Sequence, residues 1–214
     1  MVKINWIEGR GYDSNIYLLQ GKRNLLIDAG TGKNFERLRK EMERLGKNLR
    51  EIDILVNTHA HFDHVGGNQK IIDASDCELM ASGPTAEVLE AGGQGESLAS
   101  HFGEKLEPLK VSRRLQDGDE IDIGYSTLEI LTTPGHSRGD IVLYIESDRI
   151  LFSGDTVFKG GIGRTDLPSS DAKEMRKSLD RLKELDVEKL YPGHGPIAET
   201  DGGKHIERAS SFLI

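Results

Sequence analysis

Three of the chain's seven histidines lie within six consecutive residues, in the segment HAHFDH from His59 to His64. Side chains alternate along an extended segment, so His59 and His61 point the same way and can bind one ion together. Asp63 and His64 follow, and a turn at the next two glycines lets them face a second position close by. Neutral imidazole and carboxylate are ordinary ligands of zinc, iron and manganese. The spacing therefore supplies half of two metal sites.

Three further residues of the same ligand chemistry lie at the ends of predicted strands. His136 ends the segment STLEILTTPGH, Asp155 lies near the end of DIVLYIESDRILFSGDT, and His194 ends EKLYPGH. Polar residues at strand ends are where an α/β scaffold usually presents its site. These residues could complete both metal sites. In contrast, His101 and His205 have no ligand-spaced neighbours, and we interpret them as ordinary exposed residues.

The elements that must position these residues recur in two halves of the chain. In the first half, NIYLLQG and NLLIDAG form a predicted hairpin, NFERLRKEMERLG a helix capped by Asn34, and IDILVNTH a strand ending at His59. In the second half, DIVLYIESDRILFSGDT is a predicted hairpin, SSDAKEMRKSLDRLKEL a capped helix, and EKLYPGH a strand. An aspartate, Asp28 or Asp155, ends a hairpin strand in each half. The pattern predicts an internally duplicated α/β fold in which two packed sheets lie between helices.

Length, charge and cysteine content limit the possible classes of protein. A chain of 214 residues without a linker rich in Pro, Gly or Ser predicts a single domain over residues 1–214, with a glycine-rich, mobile stretch at 92–103. The formal net charge of −8 comes without a basic block, which argues against nucleic acid as a partner. No signal peptide or membrane span is predicted, so we expect a soluble, cytoplasmic protein. The single cysteine, Cys77, is interpreted as a buried side chain, and the oligomeric state stays open.

The ordered motifs of the chain resemble those of the metallo-β-lactamase superfamily. The signature His-X-His-X-Asp-His is followed by lone His, Asp and His residues, in the segments LLIDAG, THAHFDH, TPGH, FSGDT and YPGHGP. This resemblance implies a four-layer αββα sandwich with two adjacent metal sites. The implied ligands are His59, His61 and His136 at one site, Asp63, His64 and His194 at the other, and Asp155 bridging them.

The resemblance also implies roles for two residues outside the ligand set. Asp28 is similar to the family's aspartate that steadies the ligand-bearing loops without touching metal, although an aspartate after a strand can also simply cap a turn. The stretch GGIGRTDLP resembles that of glyoxalase II-like thioesterases and the related persulfide dioxygenases. There Arg164 could bind an anionic part of the substrate. The alternative is that it forms a surface pair with Asp166, which would contribute little.

The function implied by these motifs is metal-dependent hydrolysis of a small molecule. Two divalent ions, zinc first and iron or manganese as alternatives, would generate a bridging hydroxide that attacks a carbonyl, with Asp63 orienting it or receiving a proton. Similarity to glyoxalase II favours a thioester of the hydroxyacylglutathione type. The seventeen residues after Ile197 are too few for that family's additional glutathione-binding domain, so another thiol or ester stays open.

Two other functions are compatible with the same motifs. A mononuclear iron persulfide dioxygenase resembles the chain in the same segments, and iron held by His and carboxylate ligands is associated with oxygen chemistry. A protein that only stores or senses metal is the weaker alternative, because two sites beside an open loop indicate chemistry.

Overall fold

The structure, a computed structural model, describes residues 2–93 and 95–213. Gln94, in the glycine-rich stretch, and Ile214 lie outside the described residues. The described strands form two sheets, of six and five strands. The first sheet has the order β1-β2-β3-β4-β5-β6 and consists of β1 (Lys3–Ile7), β2 (Ile16–Gln20), β3 (Leu25–Ile27), β4 (Ile54–Val56), β5 (Glu78–Ser82) and β6 (Arg113–Leu115). The second has the order β11-β10-β9-β8-β7 and consists of β7 (Glu120–Asp122), β8 (Thr127–Thr132), β9 (Ile141–Ile145), β10 (Ile150–Gly154) and β11 (Lys189–Pro192).

Helices cover the outer faces of both sheets. They are α1 (Phe35–Arg44), α2 (Phe62–Val65), α3 (Asn68–Ser75), α4 (Gly83–Glu90), α5 (Ala172–Leu182) and α6 (Gly202–Ala209). Among the described residues, no helix is both long enough and apolar enough to cross a bilayer.

Three clusters of buried apolar side chains lie between the four layers of helices and sheets. One cluster joins residues of both sheets, such as Ile27 and Phe152. A second joins the first sheet to its helices, as Leu55 does with Met42, and a third joins the second sheet to α5 and α6. The predicted αββα sandwich is therefore confirmed.

Strand alternation explains how one strand serves two of these layers. In β2, Tyr17 and Leu19 belong to the cluster between the sheets, whereas Leu18, which points to the opposite face, packs beneath the helices. Because helices cover the outer face, both faces of the strand are apolar and its central residues are buried.

The two halves repeat one topology. In each half a hairpin, β2–β3 or β9–β10, is followed by a helix, α1 or α5, and then by a strand that pairs parallel to the second hairpin strand. The parallel partners are β4 and β11. This order places the residues that follow β3, β4, β10 and β11 at the same edge of the sandwich, because the carboxyl ends of parallel strands lie together.

The predicted cap of α1 is wrong. Asn34 stands before the first helical residue, but its side chain accepts no hydrogen bond from the helix. Instead, Asn34 Nδ2 donates to Asp13 Oδ2 over 2.7 Å. The predicted cap of α5 is confirmed, because Asp171 accepts from the backbone N–H groups of Lys173 and Glu174.

The strands also end earlier than the sequence predicts. β4 ends at Val56 and not at His59, because the backbone N–H of Thr58 donates to the Asp28 carboxylate instead of to a neighbouring strand. Similarly, β8 ends at Thr132 and β11 ends at Pro192. Consequently, His59, His136 and His194 lie on loops, two to four residues beyond the strands that precede them.

We expect Phe152→Ala to destabilise the fold by about 3–5 kcal/mol, because it would open a cavity between the sheets. The Phe152 side chain is fully buried, with ring centroids 5.3 Å from Tyr17 and 5.2 Å from Tyr191. Urea unfolding of both proteins measures the difference. The control is Phe212→Ala, at a half-exposed ring, for which we expect a change within about 0.5 kcal/mol. Equal effects of the two variants would contradict this assignment of the core.

Candidate metal centre

All seven predicted ligands converge at the edge where the two sheets meet. They come from the β4–α2 loop, helix α2 itself, and the loops after β8, β10 and β11. Three groups of these residues place one donor atom each within 4.8 Å of the others: His59, His61 and His136; His59, His64 and Asp155; and Asp63, His64 and His194. The structure thus brings together the residues that the sequence singled out, and their individual roles as ligands stay a prediction.

The first donor group consists of three imidazole nitrogens. His61 Nδ1 lies 3.0 Å from His59 Nε2 and 2.8 Å from His136 Nε2. All three side chains are buried. His61 directly precedes α2, and the turn into that helix aims its Nδ1, and not its Nε2, at the other two rings.

The second donor group mixes nitrogen and oxygen. His194 Nε2 lies 3.1 Å from Asp63 Oδ2 and 3.2 Å from His64 Nε2. Asp63 and His64 are adjacent residues of the single-turn helix α2, whereas His194 comes from the other half of the chain. The group therefore exists only when the two halves are packed together.

Asp155 lies between the two donor groups. Its Oδ1 is 3.2 Å from His64 Nε2, and its Oδ2 is 3.4 Å from His136 Nε2 and 3.7 Å from His194 Nε2. Asp155 Oδ1 is buried and has no hydrogen-bond partner among the described residues. A buried carboxylate oxygen without a partner is costly unless a cation binds it, so the site fits a metal ion. The Gly193 backbone lies so close to this carboxylate that a Cβ at position 193 would overlap Asp155 Oδ1.

Asp28 and Thr58 fix the orientation of two imidazoles. The Thr58 hydroxyl donates to Asp28 Oδ2 over 2.8 Å, so its oxygen can only accept from His59 Nδ1, 3.1 Å away. Asp28 Oδ2 also accepts from His64 Nδ1 over 2.8 Å. Both rings therefore carry a hydrogen on Nδ1 and present Nε2 to the donor groups. Asp28 belongs to none of the three groups, and its supporting role stays a prediction.

A main-chain carbonyl orients the third imidazole. His136 Nδ1 donates to the carbonyl oxygen of Arg164 over 2.9 Å, which leaves Nε2 free to bind a metal. Sequence analysis identified the Arg164 guanidinium as a candidate and did not predict this contact of the Arg164 carbonyl oxygen. That guanidinium is exposed and pairs with the Asp166 carboxylate through two contacts of 2.9 Å. Its predicted role in substrate binding stays a prediction.

The electrostatics of the centre suit metal binding. Burial lowers the pKa of His61 to about 3 and holds the pKa of His59 well below its ordinary value, so both rings are neutral. Burial also lowers the pKa of His64 and His194, but the carboxylate of Asp155 and its neighbours outweigh burial and raise both pKa values. A cation at the second group would therefore displace protons, and its affinity should fall as the pH falls.

Two consecutive residues directly before β2 connect the ligand loops to one another. Ser14 N donates to Asp63 O over 3.0 Å, and Asn15 N donates to Gly193 O over 2.7 Å. The buried Asn15 Nδ2 also donates to Pro192 O and Gly195 O, each over 2.9 Å. We call Ser14 and Asn15 the brace. The brace joins the α2 loop of one half to the His194 loop of the other.

A cavity of about 680 Å³ opens onto the centre. Its floor includes His61, Asp63, His136, Asp155 and His194. Its walls include residues that sequence reasoning missed or set aside: Tyr12, Lys33, Leu98, His101, Phe102, Phe158, Ile162 and Leu167. His101 is exposed, as expected, but lies on the wall of the cavity, whereas the half-buried His205 does not line it. No local pattern marks the wall residues, because long-range packing alone brings them to the cavity.

Comparison with known proteins places the chain in one family. The family model of the metallo-beta-lactamase superfamily matches residues 9–194. A probable metallo-hydrolase of Methanocaldococcus jannaschii is 40% identical over 197 residues, covering 90% of this chain and 93% of that protein. The acyl-coenzyme A thioesterase MBLAC2 of Gallus gallus is 35% identical over 245 aligned residues, covering 99% of this chain and 83% of that protein. The crystal structure of TTHA1623 in a di-iron-bound form has a TM-score of 0.81 at 30% identity and covers 98% of this chain and 100% of that one.

We expect Asn15→Ala to weaken metal binding at the second donor group, because it removes both side-chain hydrogen bonds to the His194 loop. Elemental analysis after dialysis against dilute chelator should show less metal per chain than in the wild type. Far-ultraviolet circular dichroism should be unchanged.

The matched control is Asn24→Ala, at another buried asparagine whose Nδ2 donates to Glu51 O over 2.7 Å, among residues that do not line the cavity. Unchanged metal content in Asn15→Ala, or equal loss in both variants, would contradict the role of the brace.

Proposed function

Because the chain belongs to the metallo-β-lactamase superfamily, we propose that it is a dinuclear metal-dependent hydrolase of thioesters. The observation that carries this proposal is the pair of adjacent donor groups with Asp155 between them. Zinc is the first candidate for both ions, since imidazole and carboxylate donors suit it, and iron is the second.

The residues that would hold the ions are already grouped by the fold. They are His59, His61 and His136 at one position, Asp63, His64 and His194 at the other, and Asp155 between the two. When bound, two divalent ions supply a Lewis acid for a carbonyl oxygen and bring the pKa of a shared water toward neutrality.

Asp63 is the residue best placed to handle a proton. It lines the cavity, and its side chain is one-fifth exposed. Burial raises its pKa, but the His194 hydrogen bond and nearby imidazoles outweigh burial, so the net pKa is lowered and the group is a carboxylate. A carboxylate there can orient the attacking water or accept its proton.

No protein nucleophile is needed for this chemistry. The single cysteine, Cys77, is buried as expected, and burial raises the pKa of its thiol, which makes a reactive thiolate unfavourable. This supports direct attack by water over an acyl-enzyme route.

Two thiol carriers are supported by different observations. Similarity of GGIGRTDLP to glyoxalase II-like proteins supports a hydroxyacylglutathione, whereas the relationship to the thioesterase MBLAC2 supports an acyl-coenzyme A. Both carriers have anionic groups. Lys33 and Arg164 on the cavity wall could bind such groups, which supports a small-molecule substrate in either case.

The oxygenase alternative is less well supported. A mononuclear iron centre needs one set of donors, and the Asp63, His64 and His194 group would then be superfluous. In addition, a hydrogen bond to Asp28 orients the His64 imidazole of this second group, as hydrogen bonds orient His59 and His136 in the first.

We expect His194→Ala to keep the fold and much of the first metal position but to lose thioester hydrolysis by on the order of 100-fold or more, because both positions act together. Initial rates with S-lactoylglutathione and an acyl-coenzyme A measure the loss. The control is His205→Ala, for which we expect wild-type rates.

Oxygen uptake with glutathione persulfide, on iron-reconstituted wild type and His194→Ala, completes the test. Efficient uptake that is insensitive to the substitution, with both thioesters untouched, would replace the hydrolase with the oxygenase.

A further inference from the structure

The walls of the cavity beside the donor groups are largely apolar. Six of the side chains that line it are aromatic or aliphatic: Tyr12, Leu98, Phe102, Phe158, Ile162 and Leu167. Five of the six are half-buried, and Tyr12 is exposed. Binding of an apolar ligand to such a surface is favourable, because it removes apolar area from water.

The wall contributed by the first half of the chain is a continuous series of rings. Phe62, which precedes Asp63, is buried and lies 5.2 Å from the Phe102 ring. Phe102 in turn lies 5.6 Å from Tyr12, edge to face. Tyr12 is 75% exposed, which makes it the most exposed large hydrophobic residue of the described chain. The series thus runs from the core beside the donors to the mouth of the cavity.

Leu98 adds a branched side chain to the same wall in an unfavourable backbone conformation. Its φ is 58° and its ψ is 14°, in the left-handed region that favours glycine. Backbone strain at a residue that lines a site points to a use for that residue. A glycine would adopt this conformation without strain but would leave the wall without the leucine side chain.

The opposite wall comes from the second half of the chain. Phe158 packs edge to face against His194, with ring centroids 6.1 Å apart, and Ile162 and Leu167 extend this wall. The cations on the cavity wall are already paired, Lys33 with Glu104 over 3.1 Å and Arg164 with Asp166 over 2.9 Å. Apolar surface on both sides of the donors, with polar groups paired off, favours an apolar ligand over a hydroxylated one.

We propose that this cavity binds an unsubstituted, medium-length or long acyl chain between the Tyr12–Leu98–Phe102 wall and the Phe158–Ile162–Leu167 wall. The inference rests on the proposed thioester hydrolysis and names the acyl group that it acts on. The acyl carbonyl then lies at the donor groups. Each methylene that becomes buried raises kcat/KM by up to about fourfold, until the chain outgrows the cavity.

The test is a series of acyl groups on one thiol. Acetyl-, butyryl-, hexanoyl- and octanoyl-coenzyme A are compared with lactoyl-coenzyme A, so that the thiol contributes equally throughout, and the series is repeated on glutathione. We expect kcat/KM to rise along the unsubstituted series and lactoyl to be poorer than butyryl.

Two variants and one control assign the effect to the wall. Leu98→Gly should lower kcat/KM about tenfold more for octanoyl than for acetyl, while raising the melting temperature, because it relieves the strained backbone. Tyr12→Ala is at an exposed position where misfolding is not expected. It should also reduce the rise of kcat/KM with acyl-chain length. Tyr125→Ala, which removes another exposed tyrosine that does not line the cavity, should leave the series unchanged.

Binding of non-hydrolysable thioethers separates the two proposals. S-octyl- and S-methyl-coenzyme A are titrated calorimetrically into wild type and Leu98→Gly. If no thioester is hydrolysed but the octyl compound binds more tightly and Leu98→Gly removes the difference, the hydrolase proposal fails and the acyl site stands. If thioesters are hydrolysed without dependence on chain length and the two thioethers bind alike, the acyl site is overturned and the hydrolase stands.

Discussion

The Asp155 carboxylate faces imidazoles from both halves of the chain, and the rest of the centre depends on keeping it there. Its oxygens lie 3.2 Å from His64 Nε2 and 3.4 Å from His136 Nε2, in a buried place where an unpaired charge is costly. The neighbouring imidazoles compensate that charge, and a bound metal ion would do the same. The arrangement therefore requires several loops from both halves of the chain to meet at one place.

The duplicated fold meets this constraint by bringing the ends of corresponding strands to one edge. Asp28 and Asp155 follow corresponding hairpin strands, yet they have different environments. Asp28 accepts hydrogen bonds from Thr58 and His64 Nδ1 and belongs to none of the donor groups, whereas Asp155 faces the donor nitrogens directly. The brace then joins the halves, since Asn15 binds the His194 loop through three hydrogen bonds.

Much of this architecture could be predicted from local patterns, and the remainder depends on distant partners. Hairpins, α1 and α5 follow from periodicity, and the ligand candidates follow from their chemistry and spacing. The missing side-chain cap at Asn34 could not be foreseen, because the distant Asp13 carboxylate binds that side chain instead. The early end of β4 depends on a carboxylate thirty residues earlier in the chain. Likewise, nothing in the local sequence marks Tyr12 or Leu98 as cavity walls, since only the packed fold brings them beside the donors.

The most direct test of two adjacent metal positions is anomalous diffraction from crystals of the zinc-loaded protein, with data collected at the zinc absorption edge. We expect two peaks of similar height on either side of the Asp155 carboxylate. One should be surrounded by His59, His61 and His136, and the other by Asp63, His64 and His194. A single peak at full occupancy, or a second peak away from Asp155, would contradict the dinuclear centre and the hydrolytic function proposed from it.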